Sequence, residues 1–207
     1  MKLFDGPVAL IGGGPSLKGF NFDKLNPCRC IAINRALEQV PAKVLWWSDE
    51  RFWRRNGDAI ARHPAELKAT GLRKADSRFH SYPHPIQTYR FTGMLGWDDR
   101  EDCLRHGNNG GYAAMHLAPK LGAMTLVLFG FDMGYDAGGA THYHDGHGYA
   151  TRPEANLTRQ MLPHFVHLVA PLKTRGIAVF NANPDSRIDC WPRITPDEGV
   201  EIVNGHC

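Results

Sequence analysis

The chain has no apolar run long enough to cross a bilayer, no Cys-x-x-C pair, no internal repeat and no strong excess of either charge. Its longest apolar stretch, around 124–131, falls well short of the about 20 residues a spanning helix needs. The opening Met1-Lys2-Leu3-Phe4-Asp5-Gly6-Pro7 lacks the extended apolar segment of a secretory signal. Together these absences predict a soluble, cytoplasmic protein without a membrane span. The five cysteines, Cys28, Cys30, Cys103, Cys190 and Cys207, are odd in number, which argues against a disulfide framework and predicts reduced thiols. A formal net charge of +3 is too small to demand a nucleic-acid partner. With 43% apolar and 22% charged residues, a chain of 207 residues can bury the core of one domain.

Two familiar nucleotide fingerprints are also missing. A nicotinamide-type Rossmann turn needs Gly-x-Gly-x-x-Gly and an acidic residue closing the second strand, whereas here the third glycine is displaced and the second strand ends in Asn34. A Walker loop needs Gly-Lys-Ser or Gly-Lys-Thr after the glycines, and none follows.

What the chain does have is Val8-Ala9-Leu10-Ile11 breaking into Gly12-Gly13-Gly14-Pro15-Ser16-Leu17. This reads as a buried strand, a tight turn and a helix start. Such a turn can point backbone N–H groups at an anion, with the helix dipole behind it. Further β-prone runs follow at 29–34, 43–48, 124–130 and 176–181. Helical patterns cover 52–69, interrupted at Pro64, then the stretch after Asn108-Asn109-Gly110-Gly111, and 155–175 with breaks at Pro163 and Pro171. Alternating strands and helices predict an α/β fold: a Rossmann-like, mostly parallel sheet with helices on both faces. The region 71–107 shows no sustained period and is expected to be an irregular, lid-like insertion within the single domain 1–207.

In such a fold the ligand lies beyond the carboxyl ends of the strands. Those ends carry residues 12–16, Asn34, Ser48-Asp49, Asp132 and Asn181. Asn34 offers an amide to a nucleotide's ribose or base; Asn109, Gly110 and Gly111 open a second Gly-rich helix start. Asp132 is expected to brace the glycine turn through its N–H groups, or to hold Mg²⁺ on a diphosphate. The densest chemistry is Thr141-His142-Tyr143-His144-Asp145-Gly146-His147. In an extended strand His142 and His144 share a face, so they admit a divalent metal with Asp145, or a histidine base with tyrosines donating to a departing phosphate. The basic excess in 51–90 suits an anionic substrate, and equally a solvated helical face.

Taken in order, Gly12-Gly13-Gly14-Pro15-Ser16-Leu17, Asn34, Asn109-Gly110-Gly111-Tyr112 and Leu128-Phe129-Gly130-Phe131-Asp132 resemble the bacterial sialyltransferases of glycosyltransferase family 42. They also resemble related phage-borne proteins grouped with the 6-hydroxymethylpterin diphosphokinases. The first resemblance implies a nucleotide-binding fold with a small lid, a nucleotide-sugar donor and a late histidine as general base. It makes His147 the first choice of base and His144 the second, with Tyr135 and Tyr143 as candidates for the leaving phosphate. The acceptor stays open, an anionic glycan and a modified nucleic acid both being compatible with it. The second resemblance implies Mg²⁺-dependent diphosphate transfer from a nucleoside triphosphate, and a non-catalytic nucleotide or metal sensor is the third reading.

Overall fold

Val8, Leu10 and Ile11 of the first strand are fully buried, as a strand covered on both faces requires. In the structure, a computed structural model that describes residues 1–72, 86–144 and 153–205, this run is β1 (Pro7–Ile11). It lies inside a parallel sheet with β2 (Cys30–Ile33), β3 (Val44–Trp47), β4 (Leu67–Thr70) and β5 (Ile86–Thr88) on one side. A separate parallel pair, β6 (Arg90–Phe91) and β7 (Cys103–Leu104), stands apart. On the other side of β1 come β8 (Thr125–Phe129) and β9 (Ala178–Asn181), giving the order β5-β4-β3-β2-β1-β8-β9. The chain winds away in opposite directions from β1 and β8, so the crevice between their carboxyl ends is the switch point where such sheets bind ligands.

Alternation within the strands sorts the core into two layers. Val8, Leu10, Ile31, Trp46, Leu126 and Leu128 face one layer, while Ala9, Ile11, Ala32, Trp47, Val127 and Phe129 face the other. The second layer is covered by α1 (Glu50–Arg62), whose Phe52, Trp53 and Ile60 are buried. The first is covered by α2 (Gly110–Lys120), where Ala113, Ala114 and Ala118 let the helix lie close to the sheet. After α3 (Glu154–Gln160) and a 3-10 segment at Leu162–Leu168, α4 (Val169–Thr174) completes that face; α5 (Pro196–Asn204) buries Val203 on the opposite one.

Two expectations are corrected in detail, and one further helix is added. The helix after β3 stops at Arg62, and residues 67–70 form a strand. Pro64 ends the helix, and Lys68 lies in the sheet by donating its Nζ to Ala61 O at 2.7 Å. The described part of 71–107 is not irregular throughout. It contributes β5 to the sheet edge and the β6–β7 pair, tied by Asp98, which accepts from Thr92 Oγ1 at 2.6 Å and Arg100 Nη2 at 2.7 Å. α5 was missed although its signal is in the chain: Thr195 and Glu198 form a reciprocal capping box ahead of the helix.

His116 of α2 is fully buried and stacks on Trp97 at 3.9 Å. Its Nδ1 accepts from Arg105 N at 3.0 Å while its Nε2 faces Asp98 O at 3.2 Å, a neutral arrangement. Burial pushes it from 6.5 to about 4. The unfolded chain therefore takes up this proton first, and the contribution is complete above pH 6.5 and lost as pH falls towards 4. The expected loss is at most about 3 kcal/mol. Urea unfolding at pH 7 and pH 4.5 should show a smaller pH difference for His116→Gln than for wild type; equal differences would refute the assignment.

Candidate functional site

The glycine turn after β1 is built against the turn after β8. Gly12 N–H donates to Phe129 O at 2.8 Å and Gly14 N–H to Gly130 O at 2.9 Å. Ser16 then binds both oxygens of Asp132, its N–H on one and its hydroxyl on the other, each at 2.8 Å. This corrects the picture of a ring of inward N–H groups, because most of those donors are spent inside the fold. Among the described residues Gly13 N–H is the amide of the turn left without a partner. The helix start is also shorter than expected, a single 3-10 turn at Pro15–Leu17 that gives little dipole.

The glycines have different reasons. A Cβ on Gly12 would sit 2.8 Å from Gly130 O, and one on Gly14 would meet the Asp132 carboxylate and lie 2.6 Å from Gly130 O. Gly13 faces the other way: its Cβ would lie 3.0 Å from His142 Cδ2 and 3.6 Å from His144 Nε2. Asp132 is largely withdrawn from water, which pushes its carboxyl above the ordinary value while the Ser16 hydrogen bonds pull it back.

The neighbouring strand end carries Asn34 in a left-handed conformation, φ +53°. Asparagine tolerates this region better than most residues. Its Oδ1 is buried without a hydrogen-bond partner among the described residues. A Cβ on Gly110 would lie 3.7 Å from Asn34 Nδ2 and 3.8 Å from Ser48 Oγ, so the absent side chain leaves room between the β2 and β3 ends and the start of α2. Asn109 caps that helix, its Oδ1 accepting from Gly111 N at 2.6 Å and Tyr112 N at 3.2 Å.

The histidine segment closes over the first turn. Tyr143 N–H donates to Gly13 O at 3.2 Å, and the His142 and His144 rings stack at 4.9 Å. The Tyr143 ring packs on Phe22 at 5.6 Å, and its buried hydroxyl has no partner among the described residues. Burial, aided by the Glu38 carboxylate, pushes that hydroxyl up to about 12, so it stays protonated at neutral pH. Tyr135 is half-buried further back on the same loop. Asp145 and His147 lie outside the described residues.

The two carboxylates at these strand ends both serve the fold. Asp132 is held by Ser16, and Asp49 Oδ1 caps α1 by accepting from Arg51 N at 2.7 Å and Phe52 N at 3.3 Å. Among the described residues no three His, Cys, Asp or Glu side chains are grouped to hold a metal ion.

No protein-family model and no curated protein matches the sequence. Solved structures do. The chain resembles the "MAf glycosyltransferase from Magnetospirillum magneticum AMB-1" with a TM-score of 0.63 and 17% identity, over 99% of this chain and 38% of that one. The fold is shared with solved glycosyltransferases. It also resembles the sialyltransferase CstII from Campylobacter jejuni in complex with cytidine-5'-monophosphate, at TM-score 0.52 and 14% identity over 92% of this chain and 85% of that one. The CstII complex with CMP-3FNeuAc matches at the same score and identity over 99% and 88%. This chain thus spans well under half of the Magnetospirillum glycosyltransferase.

Within this glycosyltransferase-like fold, a pair bordering the Asn34 strand end that sequence reasoning did not single out is Arg35 and Glu38. They pair side by side just after Asn34, Arg35 Nε and Nη2 each 2.7 Å from a Glu38 carboxylate oxygen. Their i, i+3 spacing in the stretch Asn34-Arg35-Ala36-Leu37-Glu38 was the available signal. Among the described residues no helix is long and apolar enough to cross a membrane.

Proposed function

We propose that this chain is a transferase that moves a sugar from a nucleotide-activated donor to an acceptor hydroxyl. The observation that carries the reading is the meeting of Gly13, His142 and His144 at the β1–β8 switch point, next to a strand end whose Asn34 Oδ1 is buried and has no partner among the described residues. Gly13 N–H and Asn34 are the groups offered to the nucleotide, with Ser16 and Asp132 holding the turn rather than touching the ligand. The start of α2 at Asn109, Gly110 and Gly111 borders the same space. The base is His147, with His144 as second choice. It takes the proton from the acceptor hydroxyl, whose oxygen bonds to the anomeric carbon as the bond from that carbon to the donor phosphate oxygen breaks. The electron pair leaves on the nucleotide phosphate, and Tyr143 and Tyr135 are the candidate donors to it. The likeness to a CMP-bound sialyltransferase makes cytidine nucleotides the first to test.

Calorimetric titration with CMP, UMP, GMP and AMP in the presence of chelator tests the reading. Binding of at least one without metal is expected; binding of a nucleoside triphosphate only, and only with Mg²⁺, would replace it with diphosphate transfer. Asn34→Gly sharpens the test. Glycine adopts φ +53° freely, so the fold should keep or slightly raise its melting temperature, while nucleotide affinity falls about tenfold through loss of one hydrogen bond. Unchanged affinity would remove Asn34 from the site.

A further inference from the structure

The turn that follows β9 reaches both parts of the candidate site from behind. Asn183 donates to the Asp132 carboxylate that holds Ser16, and Arg187 N–H donates to Asp132 O at 2.9 Å. From there the Arg187 side chain continues to the base of the histidine loop. Its Nη2 lies 2.5 Å from Glu154 Oε1 at the start of α3, and its Nε lies 2.8 Å from the position a Cβ on Gly134 would occupy. One guanidinium therefore stands at the point where the loop leaves the β8 end and at the point where it returns. We infer that Arg187 is a positioning residue for transfer: by clasping Gly134 and Glu154 it fixes the loop that carries His142 and His144 over the donor turn. Its bearing on catalysis rests on the transferase reading above.

Gly134 shows that the clasp is built into the chain. Its backbone does not occupy the left-handed region, so glycine is required there for space rather than for conformational freedom. Any side chain at that position would push the guanidinium away. Stability alone does not account for the pair, because both side chains are partly exposed, 45% and 39%, where a single ion pair contributes little. What the pair does is join the ends of one loop. The stretch between Gly134 and His142 is closed on itself: Asp136 N–H donates to Ala140 O at 3.0 Å, and Asp136 Oδ1 accepts from Gly138 N at 2.9 Å and Ala140 N at 2.7 Å. Movement at Gly134 is thus passed on to His142 instead of being absorbed by slack chain. The far end of the segment is tied by Tyr143 N–H to Gly13 O. A displacement of about 1 Å in a reacting group can cost about 10²-fold in rate. The described contacts of the Arg187 side chain lie at the loop base and not at Gly13 or Asn34, so its removal should slow turnover and spare donor binding.

Arg187→Ala removes the guanidinium, and Gly134→Ala displaces it while keeping its charge; because that methyl meets only a flexible side chain, the second variant should fold as wild type does. Three readouts on the full chain test the inference: histidine-ring NMR resonances assigned from His142→Gln and His144→Gln, calorimetric titration with CMP, and release of CMP from CMP-NeuAc with water as acceptor. Both variants should shift the His142 and His144 resonances, keep CMP affinity within about twofold, and lower CMP release about tenfold or more. The double variant should be no slower than the slower single one, because both changes remove the same clasp. Unchanged ring resonances in both variants, unchanged release, or a loss of CMP affinity as large as the loss of rate would overturn the inference. Ring resonances that shift as expected, in a protein whose wild type neither binds CMP nor releases it, would overturn the transferase reading and keep Arg187 as the anchor of the loop.

Discussion

Gly14→Ala is expected to destabilise the fold by about 3 kcal/mol or more, lowering the melting temperature by roughly 6–12 °C. The new methyl group would lie 2.6 Å from Gly130 O and against the Asp132 carboxylate. The Asp132 side chain can turn away, but only by giving up both bonds to Ser16, and the Gly130 carbonyl is backbone held by the Gly14 N–H itself. Gly13→Ala is the control. Its methyl meets the edge of one ring, His142 Cδ2 at 3.0 Å, which can move a few tenths of an ångström. The two alanines differ by one position and should differ by at least about 2 kcal/mol in urea unfolding. A Gly14→Ala protein within about 1 kcal/mol of wild type would mean that the β1 and β8 turns are not locked together as described.

The second large effect concerns rate. Removing the base should lower transfer by about 10²- to 10⁴-fold while leaving nucleotide affinity within about twofold. His147→Ala is expected to show this loss, and His144→Ala a smaller one that appears mainly as weaker acceptor use. The reverse order would move the base to His144. Full transfer by both variants would exclude a histidine base from this segment. Single-turnover rates with saturating donor make the comparison, because they separate the chemical step from product release.

How much of this was legible in the chain follows from where each signal resides. Buried parallel strands advertise themselves as unbroken apolar runs, so β1, β2, β3 and β8 could be placed from Val8, Ile31, Val44 and Leu126 onward. β4 could not, because Lys68 interrupts its apolar pattern and is tolerated only by reaching the end of α1. The strand-end rule located the site, yet it could not say which amides of residues 12–16 remain available. That depends on Phe129 O, Gly130 O and Asp132, more than a hundred residues away. His142 and His144 do come together, as their spacing suggested, but as stacked rings on a bent segment rather than on one face of a strand. The meeting of Arg187 with Gly134 and Glu154 joins three separate segments, and no local pattern encodes such a meeting.

The central claim is that a nucleotide is held at the β1–β8 switch point, against the Gly13 amide that has no partner among the described residues. Isothermal titration of CMP into wild type and Gly13→Ala, both shown to be folded by circular dichroism, tests it most directly. Wild-type binding that falls by about tenfold or more in the variant is the predicted result, since a methyl group there intrudes on the only uncommitted amide of the turn among the described residues. Equal affinity in the two proteins, or no binding of any nucleotide to wild type, would contradict it.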